Sequence, residues 1–447
     1  MSSKPQRTAV IGLGDTGLAT LRHLAAAGDE LLALDTRAVP PHLADARAVA
    51  PDATFLLGEL DPQLLSGMDR VVVSPGVSLS TPAIVAAGEA GVEIVGDIEL
   101  FARQADAPVV AVTGSNGKST VTAMLAAMFA GAGRDAAVGG NYGTPALELL
   151  ERDSRPDVYL LELSSFQLES TRSLKPRVAA ILNISADHLD RYADLDAYAA
   201  AKARIATGAR SLVINGDDPR TVAIARGFGE VVSFTGKVPG PEEWGLVRDE
   251  AGRVWLQRGA RAVMAADELP LVGRHNQLNA LAALAMGAIV GLPEAAMVAA
   301  LTGFTGLRHR CELVARRNGI DWVNDSKGTN VGATLAAVAG IEGAVVLIVG
   351  GEGKEQDFGP LRDLAPSGAL RAVVTIGRDG PAIAAPMKAH VPVVEAGEMS
   401  AAVSAAREYA RPGDTVLLSP ACASFDQFGN YQERGECFRT VVEEMPT

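Results

Sequence analysis

Short apolar runs rich in Val and Ile alternate along the chain with longer stretches whose apolar positions recur every three or four residues. This is the rhythm of strand–helix–strand units in a mainly parallel sheet. The rhythm restarts twice. A first set of runs lies at Ala9 to Gly12, Leu31 to Asp35 and Arg70 to Ser74, and a second begins at Val109-Val110-Ala111-Val112 and continues through Tyr159 to Leu163 and Val178 to Leu182. A third holds Val345 to Val349, Ala372 to Ile376 and Thr415 to Leu418. Strand-poor segments near Asp97 and Gly306 separate the sets, so the pattern predicts an α/β chain with domains at 1–97, 98–306 and 307–447. Between Gly227 and Arg261, Gly, Pro and scattered charge predict an irregular or antiparallel excursion.

Length supports the same count, since 447 residues at roughly 150 per domain give about three. Aromatic residues are only 4% of a chain rich in Ala and Gly, which suits closely packed α/β layers. A net charge of −13 repels phosphate backbones, and no basic stripe offsets it, so nucleic acid is not an expected partner. The uncharged stretch from Asn276 to Pro293 begins with amides and is broken by Gly and Pro, which falls short of a membrane span. Met1-Ser2-Ser3-Lys4 leads almost directly into strand-like Thr8-Ala9-Val10-Ile11, leaving no room for a signal peptide, so a cytoplasmic protein is expected. Cys311, Cys422 and Cys437 include no CxxC pair and read as small hydrophobes in a reducing compartment.

Two glycine loops carry the candidate chemistry. Gly12-Leu13-Gly14-Asp15-Thr16-Gly17 stands between a strand and a helix, and Asp35 ends the next strand, which satisfies the dinucleotide fingerprint. Glycines let the backbone approach a diphosphate and a helix N-terminus supplies amide donors, so NAD, another nucleotide and a purely structural turn all remain open. Asp15 would repel a diphosphate unless it points away. In the second loop, Gly114-Ser115-Asn116-Gly117-Lys118-Ser119-Thr120 follows a buried strand and precedes Val121, Met124, Leu125, Met128 and Phe129, which recur at helical spacing. Val112 stands where a full Walker A has its first Gly, but Gly117-Lys118-Ser119 is kept at the helix start. Amides there cradle phosphate, Lys118 neutralises β/γ oxygens and the Ser119 hydroxyl can ligate Mg²⁺. A dehydrogenase has no use for this second loop, so coupling to ATP is the better reading.

Three further residues are ambiguous from their surroundings alone. Glu162 in Tyr159-Leu160-Leu161-Glu162-Leu163 is either an acid at a strand end that reaches water or one held by a metal. His188 follows a strand, at the carboxyl end where parallel sheets build sites, yet a lone His is more often structural. Lys202, among alanines, reads as a solvated helix surface.

The second loop, with Gly139-Gly140-Asn141, Glu162-Leu163-Ser164-Ser165-Phe166-Gln167-Leu168, Asp187-His188-Leu189-Asp190-Arg191, Gly273-Arg274-His275-Asn276-Gln277-Leu278-Asn279-Ala280 and Asn324-Asp325-Ser326-Lys327, resembles the Mur ligases of peptidoglycan synthesis, in the same order over nearly the whole chain. Asp35-Thr36-Arg37, Ser74-Pro75-Gly76 and Ser419-Pro420-Ala421-Cys422-Ala423-Ser424-Phe425-Asp426-Gln427-Phe428 look like the glutamate-adding branch. The resemblance implies a Rossmann-like N-terminal domain for the UDP-sugar, a central P-loop-type mononucleotide-binding α/β domain for ATP and metal, and a Rossmann-like C-terminal domain for the amino acid. It implies ATP-dependent joining of D-glutamate to UDP-N-acetylmuramoyl-L-alanine through an acyl phosphate, in the cytoplasm, by a monomer. L-Glutamate or another acidic amino acid remains the alternative, because handedness is not legible.

By the same resemblance, Gly14, Thr16, Asp35, Thr36, Arg37, Ser74, Gly76 and Asn141 serve the UDP-sugar. Gly114 to Thr120, Asn279, Arg310 and Asp325 serve ATP. Ser119 and Glu162 would hold one Mg²⁺, and His188 with a CO₂-derived carbamate on Lys202 the other. Lys118, Glu162, His188 and Lys202 are the catalytic set. Lys327, Thr329, Lys354, Ser424, Phe425 and Tyr431 match the glutamate pocket, although Phe425 replaces the family's Leu, Tyr431 its Phe, and Glu352 its Asp. Three substrates held at once imply domain closure about hinges near Gly306.

Overall fold

A computed structural model describes residues 5–271, 273–341, 343–353, 356–365 and 367–445 and resolves three sheets, each with its own helices. The first is parallel throughout, in the order Thr54–Leu57, Glu30–Asp35, Arg7–Ile11, Arg70–Val73 and Glu93–Val95. Ala9, Val10, Ile11, Val71, Val72 and Val73 are all buried, as expected of central strands covered on both faces, and this is why they read as unbroken apolar runs. Winding reverses between Arg7–Ile11 and Arg70–Val73, which opens a crevice at their carboxyl ends. The helix Asp15–Ala27 starts there and packs so closely that a Cβ on Gly17 would lie 1.8 Å from the Gly12 carbonyl oxygen.

The central sheet has nine strands, in the order Arg261–Ala265, Val254–Arg258, Trp244–Arg248, Val231–Phe234, Ser211–Asn215, Val178–Ile181, Val109–Thr113, Val158–Glu162 and Ala136–Gly140. Val109–Thr113 lies between Val178–Ile181 and Val158–Glu162, so three carboxyl ends deliver their loops to one place. The helix Lys118–Gly131 covers this part of the sheet with Val121, Met124, Leu125, Met128 and Phe129, all fully buried. Against it packs Arg274–Ile289, whose Ala280 to Met286 are buried on every side, as befits a helix that is apolar all round. No described helix is long and apolar enough to cross a membrane. In the Gly227 to Arg261 excursion, Val231–Phe234 still pairs in parallel, and the chain then folds back in antiparallel hairpins through Trp244–Arg248, Val254–Arg258 and Arg261–Ala265.

The third sheet runs Glu312–Arg317, Ile320–Asn324, Thr415–Leu418, Val345–Gly350, Leu370–Ile376 and Val393–Gly397. Its first pair is antiparallel and the rest are parallel. That pair turns on Asn318 and Gly319, both at positive φ (54° and 72°), the backbone of a two-residue type I′ hairpin. Loops after Asn324 and Leu418 leave neighbouring strand ends and face the central domain.

Candidate active site

The crevice of the first sheet is a cavity of about 480 Å³ lined by Gly14, Thr16, Asp35, Thr36, Arg37, Ser74, Gly76 and Asn141, together with Gln167. Asp35 lines this space with its carboxylate already engaged. It accepts from the Leu13 amide at 2.7 Å, the Arg37 amide and Nε at 2.9 Å each, and Arg37 Nη2 at 2.7 Å. Burial pushes its pKa up, but the Arg37 and Leu13 bonds outweigh that and hold it down at about 2. An acid so engaged has little left for a ribose hydroxyl, which removes the main support for the NAD reading. Asp15 also lines this cavity, but its side chain is 80% exposed and pairs with His42 Nε2 at 2.7 Å.

In the second loop, Gly114 (φ 154°) and Gly117 (φ 84°) adopt backbones that L side chains resist, and a Cβ on Gly117 would meet Asn279 Oδ1 at 2.4 Å. Gly117 caps the helix and Lys118 opens it. Lys118 Nζ donates to the carbonyls of Gly114 (2.8 Å) and Ser115 (2.9 Å), folded back over the loop. Glu162 does not reach water: it is 2% exposed. One of its oxygens accepts from the Ser119 hydroxyl and the other from Asn141 Nδ2 at 2.7 Å. Asn141 thereby joins the first cavity to a second one of about 410 Å³, which also holds Lys118, Ser119, Glu162, His188 and Lys202.

Lys202 corrects the reading from local sequence. It is 1% exposed, donates to the Gly114 carbonyl at 2.9 Å and lies 4.5 Å above the Tyr198 ring. The helix Leu195–Ala203 packs its Tyr198–Lys202 edge inward, and the alanines that suggested a surface are what let it approach. Burial, reinforced by the charge of Lys118, drives the Lys202 pKa well down. Lys118 is lowered in the same direction, again chiefly by burial. His188 takes a left-handed backbone (φ 55°) that turns its ring edge-on to Phe166, with centroids 4.8 Å apart, while its amide donates to Asp187 Oδ1 at 3.0 Å.

A neighbouring cavity of about 300 Å³ is lined by Asn116, Gly117 and Thr120 from the loop, by Asn279, and by Arg310 and Asp325 from the C-terminal domain. Arg310 Nη2 reaches across to the Ser119 hydroxyl at 2.7 Å. Asp325 accepts from Ser419 Oγ (2.8 Å) and the Cys311 amide (3.2 Å), yet burial still raises its pKa to about 6. Lys327, Thr329, Ser424, Phe425 and Tyr431, from the C-terminal domain, line the 410 Å³ cavity together with Glu162. Lys327 Nζ stands 4.0 Å over the Tyr431 ring, and burial lowers its pKa to about 8. Lys354 lies outside the described residues.

The same cavity contains residues that local reading passed over. Asp187, Tyr198 and Asn330 line it, and Asn183 ties the loop down by accepting from the Asn116 amide at 2.8 Å. Asp187 stood in the sequence only as the first residue of the Asp187-His188-Leu189-Asp190-Arg191 motif, with no role attached, and Asn330 gave no signal beyond a helix-cap residue type.

No group of three or more His, Cys, Asp or Glu that could hold a metal ion occurs among the described residues. The donor chemistry nevertheless fits Mg²⁺ at Ser119 and Glu162, because that ion takes one or two protein oxygens and completes its shell with phosphate and water. His188 and Lys202 fit a second ion only if the amine is converted to an oxygen donor. The lowered pKa of Lys202 favours the neutral amine that such a conversion needs.

Comparison with known proteins finds three domain models along the chain. The Mur ligase MurD-like N-terminal domain matches residues 6–96, the Mur ligase middle domain 112–287, and the Mur ligase glutamate ligase domain 309–422. A UDP-N-acetylmuramoylalanine–D-glutamate ligase of Nitrosococcus oceani is 51% identical over 438 residues, covering 98% of this chain and 96% of that protein. The protein of the same name from Pseudomonas aeruginosa is 48% identical over 440 residues, covering 98% and 97%. Among solved structures, the UDP-N-acetylmuramate–alanine ligase of Thermotoga maritima superposes with a TM-score of 0.60 at 20% identity, covering 98% of this chain and 99% of that one, a likeness of fold.

Proposed function

The chain belongs to the Mur ligase family, and from that premise we propose that it joins D-glutamate to UDP-N-acetylmuramoyl-L-alanine, converting ATP to ADP and phosphate, as a cytoplasmic step of peptidoglycan synthesis. The observation that carries this reading is one cavity. Lys118, Ser119 and Glu162 of the central domain line it together with Lys327, Thr329 and Ser424 of the C-terminal domain, and Asn141 lines both it and the crevice of the first sheet. Three substrates can therefore meet at one point.

In the proposed assignment, residues 1–97 hold the UDP moiety through Gly14, Thr16, Asp35, Thr36, Arg37, Ser74 and Gly76, and Asn141 meets the sugar end. Residues 98–306 hold ATP on Gly114 to Thr120 and Asn279, with Arg310 and Asp325 closing over it. Residues 307–447 hold glutamate between Lys327, Thr329, Ser424, Phe425 and Tyr431, and Lys354 is assigned there on family resemblance. The chain works as a monomer that closes about Gly306.

The L-alanyl carboxylate attacks the γ-phosphorus, the bond to the bridging oxygen breaks, and ADP leaves an acyl phosphate. Lys118 shifts from the Gly114 and Ser115 carbonyls to the transferring oxygens, and Arg310, already at Ser119, offsets further charge. The glutamate amine, having lost a proton, attacks the acyl carbon, and phosphate departs as the amide forms. Ser119 and Glu162 are the proposed donors to one Mg²⁺, and His188 with a carbamate on Lys202 to the other. Bound Mg²⁺ would supply charge stabilisation on the phosphoryl group. The buried Lys202 amine suits the carbamate because only the neutral form adds CO₂, forming an N–C bond with release of a proton.

Phosphate release from ATP in the presence of UDP-N-acetylmuramoyl-L-alanine tests the reading, with D-glutamate, L-glutamate and other acidic amino acids compared in parallel. Release that requires D-glutamate is expected. Release with none of them, or a preference for the L-enantiomer, would sink it.

A further inference from the structure

Asn330 caps the nine-residue helix Val331–Ala339 of the C-terminal domain, its Oδ1 accepting from the Ala333 amide at 2.8 Å. Asp and Ser cap helices as well as Asn does, so capping alone does not select Asn here. The other half of the side chain explains the choice. Asn330 Nδ2 crosses to the central domain, donating to Asp187 Oδ2 at 3.1 Å and to Asn116 Oδ1 at 3.3 Å. The residue is 3% exposed, so these bonds form away from bulk water, where a missing partner is costly. Asp187 accepts the His188 amide on its other oxygen, and Asn116 is fixed at its own amide by Asn183. One amide group thus touches both the nucleotide loop and the His188 segment. Two residues on, a Cβ at Gly332 would lie 3.1 Å from Ser185 Oγ, so the helix start is pressed against the central domain.

We infer that Asn330 is a positioning residue that latches the C-terminal domain onto the nucleotide loop and the Asp187–His188 segment, and that glutamate capture depends on this latch. The inference rests on the proposed ligase activity for its kinetic part only. The latch itself is a contact between domains and is read without turnover. Oδ1 serves the cap and also accepts from Asn116 Nδ2 at 3.5 Å, whereas the bond to Asp187 is made by Nδ2 alone and is therefore separable from the cap. Asn330→Asp keeps an acceptor for Ala333 but has no donor and sets a carboxylate against Asp187.

The full chain is followed by small-angle X-ray scattering with a non-hydrolysable ATP analogue, beside steady-state kinetics and thermal melting. Asn330→Asp should lower the melting midpoint, because it buries a carboxylate beside Asp187, yet stay folded at the assay temperature and keep the KM for the UDP-sugar, whose cavity is elsewhere. It should remain expanded with the analogue and raise the KM for glutamate roughly ten- to hundredfold, the range set by a lost hydrogen bond to a charged group. Asn330→Asp combined with Asp187→Asn exchanges donor and acceptor and should regain compaction, whatever it does to turnover. Compaction of the single variant like the wild type, or failure of the double variant to recover it, overturns the latch. If the wild-type chain compacts but releases no phosphate, the ligase reading fails and the latch stands.

Discussion

Both glycine loops leave a strand at the switch point of a parallel sheet and start a helix, yet their surroundings carry opposite electrostatics. At Gly12 to Gly17 the nearby carboxylate is neutralised internally by Arg37 and the Leu13 amide, and no lysine enters the cavity lining. At Gly114 to Thr120, Lys118, Lys202, Lys327 and Arg310 crowd around Glu162 and Asp187 in one cavity. The cations depress one another: Lys118 lowers Lys202, and Arg310 lowers both Lys118 and Lys327. The same backbone device therefore serves two tasks. In the proposed reaction, the loop without excess charge holds a UDP moiety that takes no part in the chemistry, whereas the crowded one is arranged for a phosphoryl group whose charge is redistributed during reaction.

Lys118→Ala is the sharpest way to break this comparison. Turnover should fall by at least about a hundred- to thousandfold, the scale for removing a group that stabilises developing charge. Binding of the UDP-sugar, measured by calorimetry, should be unchanged. Substantial residual ligation would mean that the second loop is a cradle like the first.

Lys202→Ala should be nearly as damaging, although Lys202 touches the loop only through the Gly114 carbonyl. If carbamylation is the cause, acetate or another short carboxylate should restore part of the activity. Failure of every such carboxylate would weaken the carbamate assignment. Stability should move the other way. Because the folded-state pKa lies below the unfolded value, the unfolded chain binds the extra proton, and this lysine's contribution to stability rises with pH up to about 10.4. Lys202→Met should flatten that slope in thermal melts from pH 7 to 10.

How much of this was legible along the chain follows from how local each signal is. Both loops and the apolar runs around them are contiguous, so they could be read directly. Asn318-Gly319 is also a local hairpin signal, but it joins an antiparallel edge pair to an otherwise parallel sheet, which a strand–helix rhythm does not reveal. Lys202 misled because its surroundings are defined by Gly114, 88 positions earlier. Asn330 finds its partners 143 and 214 positions away, a distance that no window spans.

Asp35→Asn tests the first loop with a smaller expected effect. The amide keeps an acceptor for the Leu13 N–H but loses the charge that aligns Arg37, so the KM for the UDP-sugar should rise roughly tenfold, near the lower end for a hydrogen bond to a charged group. The KM for ATP should not move. A change in both would show that Asp35 acts through the fold and not through the first cavity.

Asp15→Asn should do least, although Asp15 stands within the glycine fingerprint. A carboxylate facing a diphosphate would cost a large repulsion, and its removal would tighten binding markedly. Instead the side chain is 80% exposed and paired with His42 at 2.7 Å, the kind of surface pair that contributes about 0–1 kcal/mol. The KM for the UDP-sugar should therefore stay within about threefold of wild type at 0.15 M salt, where exposed charges are screened over ~8 Å. A tenfold drop would place Asp15 against the diphosphate, and the first loop would then owe its selectivity to charge, as the second does.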